Sequence, residues 1–360
     1  MKKLISLILA LAMVFTLAAC GPKNNAANNN AAPANNTAQE EPVNNEIAEY
    51  YLKKANEVQV TADAVIVKDD SGRDAITLKK NPQKVAVLYG SLVCLWYEAG
   101  GTVPLTIGGT SAITLYKEQI GRDVTKDEGV KVISESSSGA SWDVESIIAE
   151  KPDLIVTSVG MKGYETISGP ANAAGIPCIG IDYDAVQDYL KWFKVFCNLT
   201  GHPELWESVA NKTANDIIKT VSSVPKDVEQ PTAVILLISS NKLKAYGNAN
   251  QPGMTLKELG GKNLVDPDPN GTKNTVDISM EELYAMNPKF IFYSARGLAE
   301  DPMQELMNVV GNDNAVWKSL DAVKNGNVLI LPKLLFFNKA NKLYAEAYRT
   351  MYGYLYEGKK

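Results

Sequence analysis

Glu145 and Glu281 fall in the fourth place of two segments that read alike, WDVESIIAEKPDLIVTS (142–158) and ISMEELYAMNPKFIFYS (278–294). Laid over each other without a gap, both also carry Pro in the eleventh place, Ser in the last, and apolar residues at matching positions. The chemistry such residues offer is electrostatic. Asp143 and Ser279 are N-cap types that open a short helix, so each Glu falls in a first turn, where a carboxylate gains roughly 0.3–1 kcal/mol from the helix dipole. Two matched carboxylates on exposed turns also form a pair suited to docking on a two-fold symmetric partner with paired arginines. Such contacts add little affinity singly but set register and on-rate.

Other reactive side chains are sparse. His202 is the single histidine, in the loop TGHPELW, and a mononuclear site built from several His is excluded by count. Of the four cysteines, Cys94, Cys178 and Cys197 lie in apolar runs and read as buried free thiols, with one disulfide plus a leftover thiol as the alternative. The sequence has no G-x-S-x-G elbow, phosphate loop, H-E-x-x-H or Cys–His pairing, so no enzyme is expected. A net charge of −5 excludes the basic footprint of a nucleic-acid binder.

The elements that must position these residues follow a βα rhythm. The 360 residues, 45% hydrophobic, suit two lobes. VQVTADAVIVKDDSGRDAITL predicts a β-hairpin turning at 69–72. KVAVLYG, VPLTIGG, the first repeat and IPCIGI then alternate strands with helices, which gives a mostly parallel sheet. ELWESVANKTANDIIKTVSSV has helical periodicity without Gly or Pro, and reads as a stiff strut between lobes. A second lobe follows with TAVILLIS, TLKELGGKNLV, the second repeat, VLILP and a Tyr-rich helix from about 339 to 356. Its stripe Tyr344, Tyr348, Tyr352 reads as packing. The segment 114–141 precedes the first repeat as an extended insertion, with a role in shaping the cleft.

The start reads as a targeting segment. Lys2 and Lys3 precede an apolar stretch, and Leu17-Ala18-Ala19-Cys20 resembles a bacterial lipoprotein box. The expected organisation is a signal peptide at 1–19, a lipidated Cys20 with an Asn/Ala-rich disordered tether at 20–56, an N-terminal lobe at 57–202, a connecting helix at 203–224 and a C-terminal lobe at 225–360. Lipid on Cys20 would anchor the chain to the extracytoplasmic face of the membrane.

This layout resembles the substrate-binding proteins of bacterial ABC importers that carry ferric siderophores, haem and vitamin B12. The resemblance rests on VKDDSGRDAITL with NPQKVAVL, on DVESIIAEKPDLIV, and on LKELGGKNLV with ISMEELYAMNPKFIF, across about residues 57–358. It implies two βα lobes joined by one long rigid helix, a ligand cleft between them, and Glu145 and Glu281 as contacts to permease arginines, with Glu282 as a neighbouring alternative. It also implies a monomer that delivers a metal chelate to a permease and its ATPase, with no cofactor of its own. A ferric siderophore ranks first as ligand, then cobalamin, then haem. The competing classes are a tetrapyrrole metal-chelatase-like enzyme and a sensor or adhesin without a permease.

In open α/β sheets ligands bind beyond the carboxyl ends of strands. That rule selects Tyr89, Met161, Lys162 and Tyr164 from the first lobe, and Lys242, Tyr246 and Arg296 from the second. Trp142, just before the first repeat helix, is a candidate for the cleft rim. Phe336 and Phe337 follow VLILP. Aromatics and cations of this kind suit a flat anionic chelate.

Overall fold

The computed structural model describes residues 45–136, 139, 141–239, 241–265, 275–295 and 301–359. Cys20, the expected signal peptide and Arg296 lie outside the described residues.

The described chain begins with helix α1 (Asn45–Asn56) and a small antiparallel sheet of β1 (Gln59–Val60), β2 (Ala64–Val67) and β3 (Ile76–Lys79). The first βα half runs β4 (Val85–Val87), α2 (Gly90–Glu98), β5 (Leu105–Ile107), α3 (Thr110–Gln119), β6 (Lys131–Ser134), α4 (Val144–Ala149), β7 (Leu154–Ser158), α5 (Lys162–Ala173) and β8 (Cys178–Ile181). Its strands form one parallel sheet in the order β6-β5-β4-β7-β8. Strands buried on both faces need continuous apolar runs, and β4 and β5 are buried at every residue.

Helix α6 (Val186–Thr200) and a π-helical stretch at Trp206–Asn211 that runs on into α7 (Lys212–Ser222) lead to the second half. There β9 (Thr232–Ser239) turns back as β10 (Lys242–Tyr246), followed by α8 (Gln251–Glu258), β11 (Lys262–Asn263), β12 (Thr275–Asp277), α9 (Met280–Met286) and β13 (Phe290–Ser294). Then come α10 (Pro302–Val310), α11 (Ala315–Ser319), α12 (Asp321–Lys324), β14 (Val328–Leu331), α13 (Lys333–Phe336) and, after a tight turn at Asn341–Leu343, α14 (Tyr344–Tyr356). The second sheet has the order β12-β10-β9-β13-β14, with β11 beside β9. Its β9, β13 and β14 are parallel, while β10 runs antiparallel to both its neighbours, β9 and β12.

The cores follow strand alternation. Ala233 and Ile235 of β9 join the large cluster that also holds the first sheet, α6, α8 and α14. Val234, Leu236 and Ile238 point the other way, into a second cluster with Leu283, Tyr293 and Trp317. The fold is therefore α/β with two βα lobes around mostly parallel sheets, and Tyr344 and Tyr348 of the stripe are packed in the core.

Several elements differ from the sequence expectations. Residues 45–56 were expected in the tether, yet they form α1, because Tyr51 and Ala55 bury completely in the large core. The connecting segment is helical from 206 to 222, but its first turns are π-helical and it packs along α1, α6 and α14. Helix α6 has no counterpart in the expectations. It is buried nearly all round, with the polar Asp188, Lys191 and Asn198 among its buried residues. Helix α5 starts at Lys162, earlier than ISGPANAAG indicates. Segment 114–141 supplies most of α3 and the edge strand β6.

Candidate ligand cleft and docking face

The parallel strands of each half end on one edge, and the residues beyond those ends meet between the sheets. Tyr89 is the N-cap residue of α2, directly after β4. Beyond β8 come Asp182, Tyr183 and Asp184. From the second half, the turn before α14 reaches across to them. The hydroxyl of Tyr183 donates to Asn341 Oδ1 at 2.7 Å. Asn341 Nδ2 donates to Gln119 Oε1 at 2.9 Å, and Gln119 Nε2 donates to the Lys339 carbonyl at 2.8 Å. Lys339 Nζ pairs with Asp184 and lies over the Tyr183 ring, 5.7 Å from its centre. Asn341 is only 2% exposed and holds φ at +54°, a left-handed conformation that its two side-chain partners fix in place.

Asp184 and Lys339 open onto a cavity of about 290 Å³, lined also by Tyr246, Asn250, Gln251, Pro252, Thr275, Phe336 and Phe337. The backbone packs closely just behind Asn250, Gln251 and Pro252 of this lining. A Cβ on Gly253 would come within 2.1 Å of the Gly247 carbonyl oxygen, so the turn into α8 admits only glycine there. The Asn250 side chain caps that helix through Gly253 N–H. Burial works against the charge on Lys339, but the nearby Tyr89 and Asp184 outweigh it and hold its pKa above the ordinary lysine value. Burial, with the carboxylates of Asp184 and Asp188, pushes Asp182 up. Among the described residues the cleft thus presents Lys339, paired with Asp184, among amides and aromatic rings, a set that can receive an anionic, flat-sided ligand.

The structure brings only some of the expected ligand residues together. Tyr246, Phe336 and Phe337 share the cavity, and Tyr89 lies beside Lys339. Lys242 is exposed at the other end of β10 from Tyr246, about 13 Å away along the strand. The return hairpin separates two residues that the sequence places in one loop. Trp142 does not face the cleft rim: it is 8% exposed, its indole N–H donates to the Ser136 carbonyl, and its ring covers Gly163. Tyr164 packs against Gly180 of β8, while Met161 stands at the N-cap position of α5 without a side-chain cap and Lys162 is exposed in its first turn. Asp184, Lys339, Asn250 and Gln251 were missed. They sit in polar turns with no repeat or strand end to mark them.

The repeated helices are equivalent in detail. Asp143 caps α4 through Ser146 N–H at 3.1 Å, and Ser279 caps α9 through Glu282 N–H at 3.1 Å. Glu145 and Glu281 are each the second helical residue, and both are exposed. Glu282 is engaged elsewhere, since its Oε2 accepts the Ser279 N–H at 2.8 Å. That bond holds its carboxyl below the usual range. The capping box leaves Glu281, and not Glu282, as the counterpart of Glu145.

The thiols of Cys94, Cys178 and Cys197 are buried and unpaired, and burial pushes Cys178 up to about 12. His202 pairs with Glu204 at 3.1 Å and covers Gly100. Among the described residues no group of acids, Cys and His could hold a metal, and no helix is long and apolar enough to cross a membrane.

The sequence profile described as periplasmic binding protein matches residues 85–335. The chain belongs to the periplasmic binding protein family. Among its relatives is the iron(3+)-hydroxamate-binding protein of Bacillus subtilis (strain 168), 24% identical over 350 residues that cover 93% of this chain and 92% of the relative. The Fe(3+)-citrate-binding protein of the same organism is 23% identical over 270 residues, 74% of this chain and 78% of that protein. The fold matches that of the periplasmic catecholate-siderophore binding protein VctP from Vibrio cholerae, with a TM-score of 0.63 at 16% identity over 82% of this chain and 100% of the other. Membership places the lobes, the cleft between them and a transport-binding role within one known architecture.

Proposed function

We propose that this chain is the extracytoplasmic substrate-binding component of an ABC importer, and that it captures an anionic iron chelate between its lobes. The observation that carries this reading is the cleft, where Lys339 stands beside Asp184, Tyr89 and an aromatic-lined cavity. A lysine retained as a cation in such a place attracts carboxylate or other oxyanion groups of a ligand. The cavity, about 290 Å³, lies at the small end of ligand sites, which run from about 300 to 1,000 Å³. That size supports a compact ferric chelate ahead of a corrinoid or haem. The two relatives named for ferric hydroxamate and ferric citrate support the same order. Glu145 and Glu281 then meet permease arginines, and a lipid on Cys20 holds the protein at the membrane.

The deciding experiment is tryptophan fluorescence of residues 45–360, titrated with ferric citrate, a ferric hydroxamate, a ferric catecholate, cobalamin and haem. Saturable quenching by a ferric chelate, with cobalamin and haem silent, is the expected result. Quenching by a macrocycle alone would overturn the ligand class while leaving the transport role.

A further inference from the structure

Helix α9 carries Glu281 at its second position and Tyr284 three residues on. Residues three apart on a helix share a face, with Cβ atoms about 5–6 Å apart. Tyr284 is 56% exposed, the most exposed large apolar side chain among the described residues. Neither its hydroxyl nor the Glu281 carboxylate enters a hydrogen bond or ion pair among them. Helix α11 packs on α9, and its Val316 is 36% exposed. Two of the five exposed large apolar residues thus belong to this one helix pair. Tyr50, the other exposed aromatic, is occupied, since its hydroxyl donates to Glu258 at 2.9 Å.

The first repeat lacks this feature. Overlay of 142–158 on 278–294 sets Ile148 opposite Tyr284, and Ile148 is partly buried against the large core. The two helices therefore match in their glutamates and differ one turn later.

We infer that the docking face is unequal between the lobes: Tyr284 is the apolar anchor of the second-lobe half, and it seats on a permease surface that offers an arginine beside an apolar pocket. The inference rests on the docking role proposed for Glu145 and Glu281. Exposed ion pairs contribute little affinity, whereas a tyrosine buried on binding is a frequent hot spot. The first-lobe half docks by charge alone, so the face has a preferred orientation.

The test uses the full chain in cells that depend on it for iron, and reads the initial uptake of radioactive iron given as ferric citrate and as a ferric hydroxamate. Tyr284→Ala should lower uptake about tenfold, Tyr284→Phe should retain most of it, and Ile148→Ala should stay near wild type. Fluorescence titration with the same probes should show ligand binding unchanged. A photoreactive benzoylphenylalanine at 284 should give an adduct identified by mass spectrometry as a permease subunit, lost with Glu281→Arg and absent when the probe sits at 50. Full uptake by Tyr284→Ala while Glu281→Arg stops it would overturn the inference and spare the docking reading. Full uptake by both Glu145→Arg and Glu281→Arg would remove the docking reading and the inference together. An adduct to lipid, or none at 284 when a probe at 145 captures the permease, would also overturn it.

Discussion

Tyr183 and Asn341 join the two halves of the molecule: the tyrosine hydroxyl, beyond β8, donates at 2.7 Å to an asparagine held in a left-handed turn before α14. Both residues are buried, at 3% and 2% exposure. The pair sets how close the sheets stand, and it places Asp184 and Lys339, their neighbours in sequence, against each other at the mouth of the cavity.

Asp184 and Lys339 should respond in opposite senses to neutralisation. If Lys339 receives an anionic chelate, Lys339→Met weakens ferric citrate binding at least about tenfold, since truncating one partner of a buried charged contact costs about 2–5 kcal/mol. Asp184→Asn removes the competing carboxylate and should tighten binding or leave it unchanged. Equal losses in both variants, read by fluorescence titration, would mark the pair as a structural bridge only.

Tyr51 and Tyr348 both donate to Glu258 Oε2, the first at 2.6 Å, and tie α1 and α14 to α8. Tyr51→Phe removes one donor to a carboxylate and should cost about 1.5–3 kcal/mol in urea unfolding. A midpoint equal to wild type would show that α1 contributes packing alone.

Glu98 lies at the end of α2, where Tyr189 donates to its Oε1 at 2.8 Å, and burial pushes its pKa up to about 7. A carboxyl raised on folding stays protonated in the native state while the unfolded state ionises. Stability is therefore lost as pH rises from about 4.5 to 7, and the loss persists above that. Glu98→Gln should remove this dependence, melting like wild type at pH 4 and higher than wild type at pH 8. Parallel melting curves across that range would refute the assignment.

Gly163 faces the Trp142 ring so closely that an added Cβ would meet it at 2.3 Å. Gly163→Ala should displace the indole from the Ser136 carbonyl and cost about 1–3 kcal/mol by overpacking. The near-ultraviolet circular dichroism of tryptophan would change with it; an unaltered spectrum would mean that α5 shifts instead.

Lobe closure should be small. The π/α segment 206–222 packs along α1, α6 and α14, and a helix held on several sides has no loop to absorb a large backbone change. Solution scattering with and without a bound chelate should give nearly the same radius of gyration, and a marked compaction would contradict this.

The sequence by itself determined the buried strands of the two sheets and the matched glutamates. Short Val/Ile/Leu runs have one outcome when both sheet faces are covered, and the N-cap types Asp143 and Ser279 fix where Glu145 and Glu281 fall. The repeat also marked the family's architecture before any coordinate. Tertiary structure decided what depends on residues far apart in the chain. Tyr246 and Lys242, four residues apart, parted because β10 returns antiparallel to β9. Trp142 went inward because Gly139 and Gly163 leave room for its ring. Lys339 became a cleft residue because Asp184, 155 positions away, stands opposite it. No local pattern encodes such a meeting, since it follows from how two sheets pack and from which polar turns their strand ends bring face to face.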